Sequence, residues 1–250
     1  LRDLQNRPAP RITHRYGHRA LLHLTPNCSM NCRYCFRKSL LGENRAEFFD
    51  GELAAAMEYI ALTPEMQEVI FSGGDPFLAN EKTLEQSLER LSKVSHLRRV
   101  RFHTRVPVTL PSRVTPEFAR LIGSHGLPSI VVVHFNHPKE LTFEAREALA
   151  ILKAAGHTLL NQSVLLAGVN DSHETLQRLS ESLFESGVLP YYLHHPDRAQ
   201  GTAHFDVTME RGLMIHNELR RQLAGYLVPR YVWDDSRSPF KLDVCRTLGA

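Results

Sequence analysis

The chain has 250 residues, 42% hydrophobic and 23% charged, with a formal net charge of +3. This length and apolar content suit a fully cored domain. So small a charge argues against a dedicated nucleic-acid binder, and no apolar run reaches the ~18 residues of a membrane span. Four cysteines in a chain this long do not make a disulfide framework, and no signal peptide is visible, so a cytoplasmic, reducing setting is expected. Leu1 stands where an initiator Met would be, so a segment is expected to be missing ahead of it.

Residues 1–19 read as an N-terminal arm. Beyond it, short apolar runs, many of them rich in β-branched residues, recur at 20–25, 68–73, 99–104, 129–135, 158–166 and 189–194, as strands buried on both faces should. Helical patterns lie near 50–62, 82–94, 115–124, 142–155, 172–187 and 208–223. Six alternations of strand and helix predict an α/β fold with a parallel sheet, too many for a small doubly wound domain and too few for a complete eight-fold barrel. A partial, six-stranded (βα)6 TIM-like barrel fits the count. No linker divides the chain, so residues 1–250 read as one domain ending in a C-terminal segment, 225–250.

Polar residues gather where these strands end: Ser72–Asp75, His103–Arg105, His134 with Asn136 and His137, and His194 with His195 and Asp197. The carboxyl ends of parallel barrel strands carry the active site. Cys28, Cys32 and Cys35 follow the first run directly and belong to the same face. Structural zinc takes four protein ligands, and the fourth cysteine, Cys245, lies far away in the tail. Zinc completed by one of the 14 histidines is one reading; the other is an iron–sulfur cluster held by three thiolates, with one iron left open to an exogenous ligand.

The spacing C-x3-C-x2-C after a first strand resembles the radical S-adenosylmethionine (SAM) superfamily, which implies a [4Fe–4S] cluster and reductive cleavage of SAM to a 5′-deoxyadenosyl radical. Within it, 13-THRY-16, 32-CRYCFRK-38, 71-FSGGDP-76, 103-HTRVPVTLPSR-113, 134-HFNHP-138, 160-LNQSVLLAGVND-171, 190-PYYLHHPD-197 and 225-GYLVP-229 resemble the lysine 2,3-aminomutase family. The stretches LNQSVLL and GYLVP are most similar to the EF-P lysine aminomutase subgroup, which makes β-lysine for a translation factor. The chain also stops soon after Lys241, as that subgroup does.

The resemblance implies an isomerase using three cofactors: the cluster, SAM and pyridoxal 5′-phosphate (PLP). Cys28, Cys32 and Cys35 match the cluster ligands, and Gly73, Gly74, His134 and Gln162 match positions beside SAM. Arg15 and Arg19 match arginines of the PLP phosphate. Lys241 matches the PLP lysine, although the family's glycine-rich loop is absent from 231-YVWDDSRSPFKLDV-244. Arg37 matches the substrate-carboxylate arginine, while Asp197 and Asp234 match the carboxylates that receive a lysine ε-ammonium; Asp235 is one place out of register. The expected partners are an amino acid, lysine first, a reductant protein and further copies of the chain, with no nucleic acid or membrane. Two alternatives stand beside this reading. One is an enzyme of the same scaffold acting on another amino acid or without PLP. The other is a non-enzymatic cluster scaffold docking a translation factor through Arg98, Arg99, Arg101 and Arg105.

Overall fold

The computed structural model describes residues 3–38, 49, 51–197, 199–235 and 237–247. The edges of the expected N-terminal arm, of the helix near 50–62 and of the C-terminal segment fall outside them. Nine strands form one sheet in strict chain order: β1 (Ile12–Tyr16), β2 (Arg19–Thr25), β3 (Glu68–Gly73), β4 (Arg99–Thr104), β5 (Ser129–Val133), β6 (Thr158–Val164), β7 (Leu189–His194), β8 (Arg230–Trp233) and β9 (Leu242–Asp243). Strands β2 to β8 pair in parallel, whereas β1 lies antiparallel on β2 and β9 antiparallel on β8. The six strands read from the sequence are β2–β7. The sheet extends beyond them, because the arm supplies β1 and the C-terminal segment supplies β8 and β9.

The crossovers carry helices α1 (Leu53–Ala61), α2 (Glu81–Ser92), α3 (Val106–Thr109), α4 (Pro116–Gly123), α5 (Phe143–Ala154), α6 (His173–Glu185) and α7 (Met209–Gln222), with α8 (Val244–Thr247) after β9. Their starts are written locally. Asn80, Thr115, Thr142, Ser172 and Thr208 each accept a hydrogen bond from a backbone N–H of the first turn of α2, α4, α5, α6 and α7. Glu52, ahead of α1, makes no such cap.

Strand alternation separates two environments. Val100 and Phe102 of β4, Val131 and Val133 of β5 and Leu159 of β6 are buried in one hydrophobic cluster with the helices. Phe71 stacks on Phe102 at 4.8 Å and Phe77 meets Phe118 edge-on at 4.9 Å. Each such side chain contributes roughly 1.5–3 kcal/mol by leaving water. The intervening residues of the same strands, Arg101, His103 and Gln162, face a cavity instead. Among the described residues no helix is long and apolar enough to cross a membrane.

Candidate active site

One cavity of about 270 Å³ opens at the carboxyl ends of the parallel strands. Its wall includes Arg15, Arg19, Cys28, Cys32, Cys35, Arg37, Gly73, Gly74, His134, Gln162, Asp197, Asp234 and Lys241, so all thirteen site residues expected from the sequence converge there. Lys139 and Lys153 do not line it; Lys241 is the only described lysine that does.

The cysteine loop leaves β2 and is seated on the end of β3. Gly74 N–H donates to Thr25 O at 2.8 Å and Asp75 N–H to Asn27 O at 2.7 Å. Gly73 has φ +106°, and a Cβ on Gly74 would overlap the backbone of Pro26 and Asn27. The glycine pair is therefore required twice, by dihedral and by close backbone approach. Buried Asp75 ties this turn to the next strand, accepting from Thr104 Oγ1 and Arg105 N–H, both at 2.7 Å, and from Phe77 N–H at 3.1 Å.

Cys28 is exposed, and Cys32 and Cys35 are partly covered. Loss of water around its sulfur where the residue meets the wall comes first, then the charges of Asp75 and the other two thiols, and together they push Cys28 up to about 11; burial raises Cys35 as well. Cys28 and Cys35 therefore resist ionisation until a cation offsets their charge, which is the donor chemistry a thiolate-ligated cluster needs. Among the described residues no three His, Cys, Asp or Glu side chains converge on a single-ion site. Cys245 is outside the cavity, its Sγ 3.2 Å from His216 Nδ1.

Deeper in the barrel, Gln162 Nε2 donates to His134 Nε2 at 2.9 Å. Burial, followed by the charges of Arg105 and Arg37, lowers His134 to about 3, and burial holds His103 and His194 far below the ordinary histidine range. All three are neutral at physiological pH. The Nε2 atoms of His103 and His194 and the Nε atoms of Arg101 and Arg105 are buried without a hydrogen-bond partner among the described residues. Buried orphans in the wall of a cavity mark where a ligand's polar atoms fit. Arg37 Nη1 donates to Ser72 Oγ at 2.7 Å, which fixes its guanidinium in the wall.

The C-terminal loop closes the other side. Asp234 Oδ2 pairs with Lys241 Nζ at 2.5 Å and Asp234 Oδ1 with Arg15 Nη1 at 2.7 Å. Arg15 also donates to the carbonyls of Asp235 and Ser238, so it holds this loop, while Arg19 lies over the Tyr16 ring at 4.3 Å. Burial alone would raise Asp234, but the Lys241 and Arg15 charges outweigh it and hold the carboxyl below its usual range. Asp197 is pushed up to about 6 by burial and by the nearby Asp234 charge. Asp235 turns away and pairs with Arg237 at 3.0 Å.

The sequence marks Ser72, His103, Arg105 and His194 as polar strand ends and Tyr16 as part of 13-THRY-16, but gives none of them a place in the site. Their signal was position: each sits on or beside a strand with its side chain on the cavity-facing register. Of the four basic residues weighed for docking, Arg98 is exposed and the other three are otherwise engaged. Arg99 and Arg101 pair with Glu68, Arg105 pairs with Glu140, and Arg101 and Arg105 line the cavity.

Comparison with known proteins defines the class first: residues 22–179 match the radical SAM superfamily. The fold is also that of a radical SAM methyltransferase from Sphaerobacter thermophilus, with a TM-score of 0.62 at 15% identity over 91% of this chain and 69% of that one. Within the superfamily, the chain belongs to the L-lysine 2,3-aminomutase family. It is 41% identical to the L-lysine 2,3-aminomutase of Escherichia coli over 95% of this chain and 69% of that protein. With the Haemophilus influenzae protein of the same name it shares 42% identity over 93% of this chain and 68% of that one. The superfamily uses a [4Fe–4S] cluster and SAM, and lysine 2,3-aminomutases also use PLP.

Proposed function

We propose that this chain is a PLP-dependent radical SAM isomerase that moves the α-amino group of L-lysine to the β-carbon. The observation that carries the proposal is the shared cavity: the cysteine loop, the Gly73–Gly74 turn, Arg37, Lys241 and the carboxylates Asp197 and Asp234 line one space. In this reading Cys28, Cys32 and Cys35 hold the cluster, Gly73, Gly74, His134 and Gln162 contact SAM, and Arg19 and Lys241 hold PLP. Arg15 contributes to the PLP side by fixing the loop that presents Lys241. When bound, SAM and the cluster supply the hydrogen-abstracting radical and PLP supplies the π-system through which the amino group migrates.

Arg37 is placed to clamp the substrate carboxylate as a charge-assisted donor. The opposite need, a cation for the acidic end, follows from the electrostatics. Asp197 and Asp234 are close enough for the charge of one to raise the other, and Lys241 neutralises Asp234. With Lys241 committed to PLP, Arg15 is left as the one cation paired with Asp234, against two carboxylates, and a substrate ε-ammonium restores the second. A neutral pocket would leave that ammonium desolvated and unpaired.

The test is to reconstitute iron and sulfide anaerobically, add reductant, SAM, PLP and 13C-labelled lysine, and look for β-lysine. Absence of β-amino product, with SAM still cleaved, would overturn the proposal. The Lys241–Asp234 pair favours one competing reading, because the lysine assigned to PLP is held by a carboxylate assigned to the substrate. In that reading the scaffold works without PLP. Borohydride trapping decides between them: a PLP adduct mapped to Lys241 excludes the PLP-free enzyme. We further propose that residues 1–250 act as one cytoplasmic radical SAM domain, reduced by a separate protein and self-associating, with β-lysine destined for translation factor EF-P.

A further inference from the structure

We propose that Arg105 raises the reduction potential of the cluster by donating a charged hydrogen bond to the ligand sulfur of Cys32. The proposal rests on the assignment of Cys28, Cys32 and Cys35 as cluster ligands and is independent of substrate and PLP.

Arg105 Nη1 lies 3.0 Å from Cys32 Sγ, and its Nη2 lies 2.5 Å from Glu140 Oε1. The guanidinium packs 5.3 Å from the centre of the Tyr34 ring, and its Nε is buried with no partner among the described residues. Both ends of the ion pair are anchored to backbone. Arg105 N–H is held by Asp75 Oδ2 at 2.7 Å, and Glu140 Oε2 accepts from Asn136 N–H at 2.6 Å and His137 N–H at 3.4 Å. The arm is thus fixed before any ligand arrives, as groups that orient metal ligands characteristically are.

The electrostatics give the sign. Three thiolates outweigh the positive charge of an oxidised cluster core, and one-electron reduction adds a further negative charge without breaking a bond or moving a proton. A guanidinium against one thiolate stabilises the reduced form more than the oxidised form, and hydrogen bonds to cluster sulfur act in the same direction. Glu140 does not cancel this, because it sits on the other guanidinium nitrogen and the pair presents its positive end to the sulfur. The electron comes from a one-electron reductant, which is oxidised in the same step.

The experiment is an EPR-monitored dithionite titration of the reconstituted protein, comparing wild type with Arg105→Gln and Arg105→Lys. The midpoint is an intensive quantity, so it is read on whatever fraction carries cluster. Arg105→Gln is expected to make one-electron reduction at least tenfold less favourable, a downward shift of about 59 mV or more. Arg105→Lys, which keeps the charge but not the fork, is expected to fall between the two. A Gln variant with the wild-type midpoint overturns the proposal, and so does failure of both variants to bind iron, which assigns Arg105 to assembly. Wild-type protein that takes up no iron sinks the cluster assignment instead, so the two failures are told apart.

Discussion

Asp197 and Asp234 are two half-buried carboxyls in one cavity with opposite shifts, and the difference lies in their neighbours. Asp197 makes no side-chain hydrogen bond among the described residues, so burial and the repulsion of Asp234 are offset only in part, by the charges of Lys241 and Arg37. A carboxyl raised in the folded state favours folding only while it is protonated, and that contribution is lost as the pH rises through about 6. Asp197→Asn should therefore stabilise the ligand-free protein at pH 7.5, by up to about 3 kcal/mol at ~1.4 kcal/mol per pKa unit. Most of that gain should be gone near pH 4; thermal melts at the two pH values read it. In catalysis the expectation reverses. Asp234→Asn should lower kcat/KM for lysine by roughly two to four orders of magnitude, the cost of about 3–5 kcal/mol for leaving a desolvated ammonium short of a partner. Uncoupled SAM cleavage should survive. Asp235→Asn, on a side chain paired with Arg237 outside the cavity, should change steady-state kinetics little.

At the scale of the element, the cysteine loop is placed by the turn after β3 rather than by its own sequence. Its described residues, 26–38, contain no regular strand, so the hydrogen bonds from Gly74 and Asp75 and the absence of a Cβ on Gly74 define its seat. Gly74→Ala drives a methyl into backbone, where no side-chain rotation relieves it. It should destabilise the fold by about 2 kcal/mol or more. Iron uptake should fall further than stability does, because the thiols move with the loop. Iron content at matched fractions folded, from metal analysis and circular dichroism, separates the two effects. The sequence showed SGGD as a turn; that its second glycine accommodates the cysteine loop was not legible, because the clash is with residues some 50 positions earlier.

On the scale of the molecule, the sheet runs from β1 to β9 as one open series, and its two ends are joined by side chains. Arg15 on β1 reaches Asp234 after β8, 219 residues away, together with the carbonyls of Asp235 and Ser238. Tyr16 OH adds a longer bond to Asp234 at 3.4 Å. This seam encloses the cavity and fixes Lys241 in its wall. Arg15→Gln removes a charged, mostly buried hydrogen bond and should cost about 2 kcal/mol in urea unfolding at neutral pH. The cost should fade as the pH falls below about 4, because a carboxyl lowered in the folded state gives up its contribution as it takes up a proton. An Arg15/Asp234 double-mutant cycle should show coupling, since one contact joins both residues.

The sequence by itself determined the parallel core strands, the helix starts and the cysteine motif. Those are set locally, by apolar runs, by Ser, Thr and Asn at cap positions, and by spacing within a dozen residues. It also placed Asp234 and Lys241 by register from a neighbouring motif. Only the tertiary structure decided what these groups do to one another. It showed the arm and the tail as strands of the same sheet, Arg15 holding the loop of Lys241, the Arg105–Cys32 contact, and the opposite shifts of Asp197 and Asp234. Strand and helix formation follow the periodicity of neighbours along the chain. Charge pairing and desolvation depend on distance in space, which the sequence does not contain until the barrel brings its two ends together.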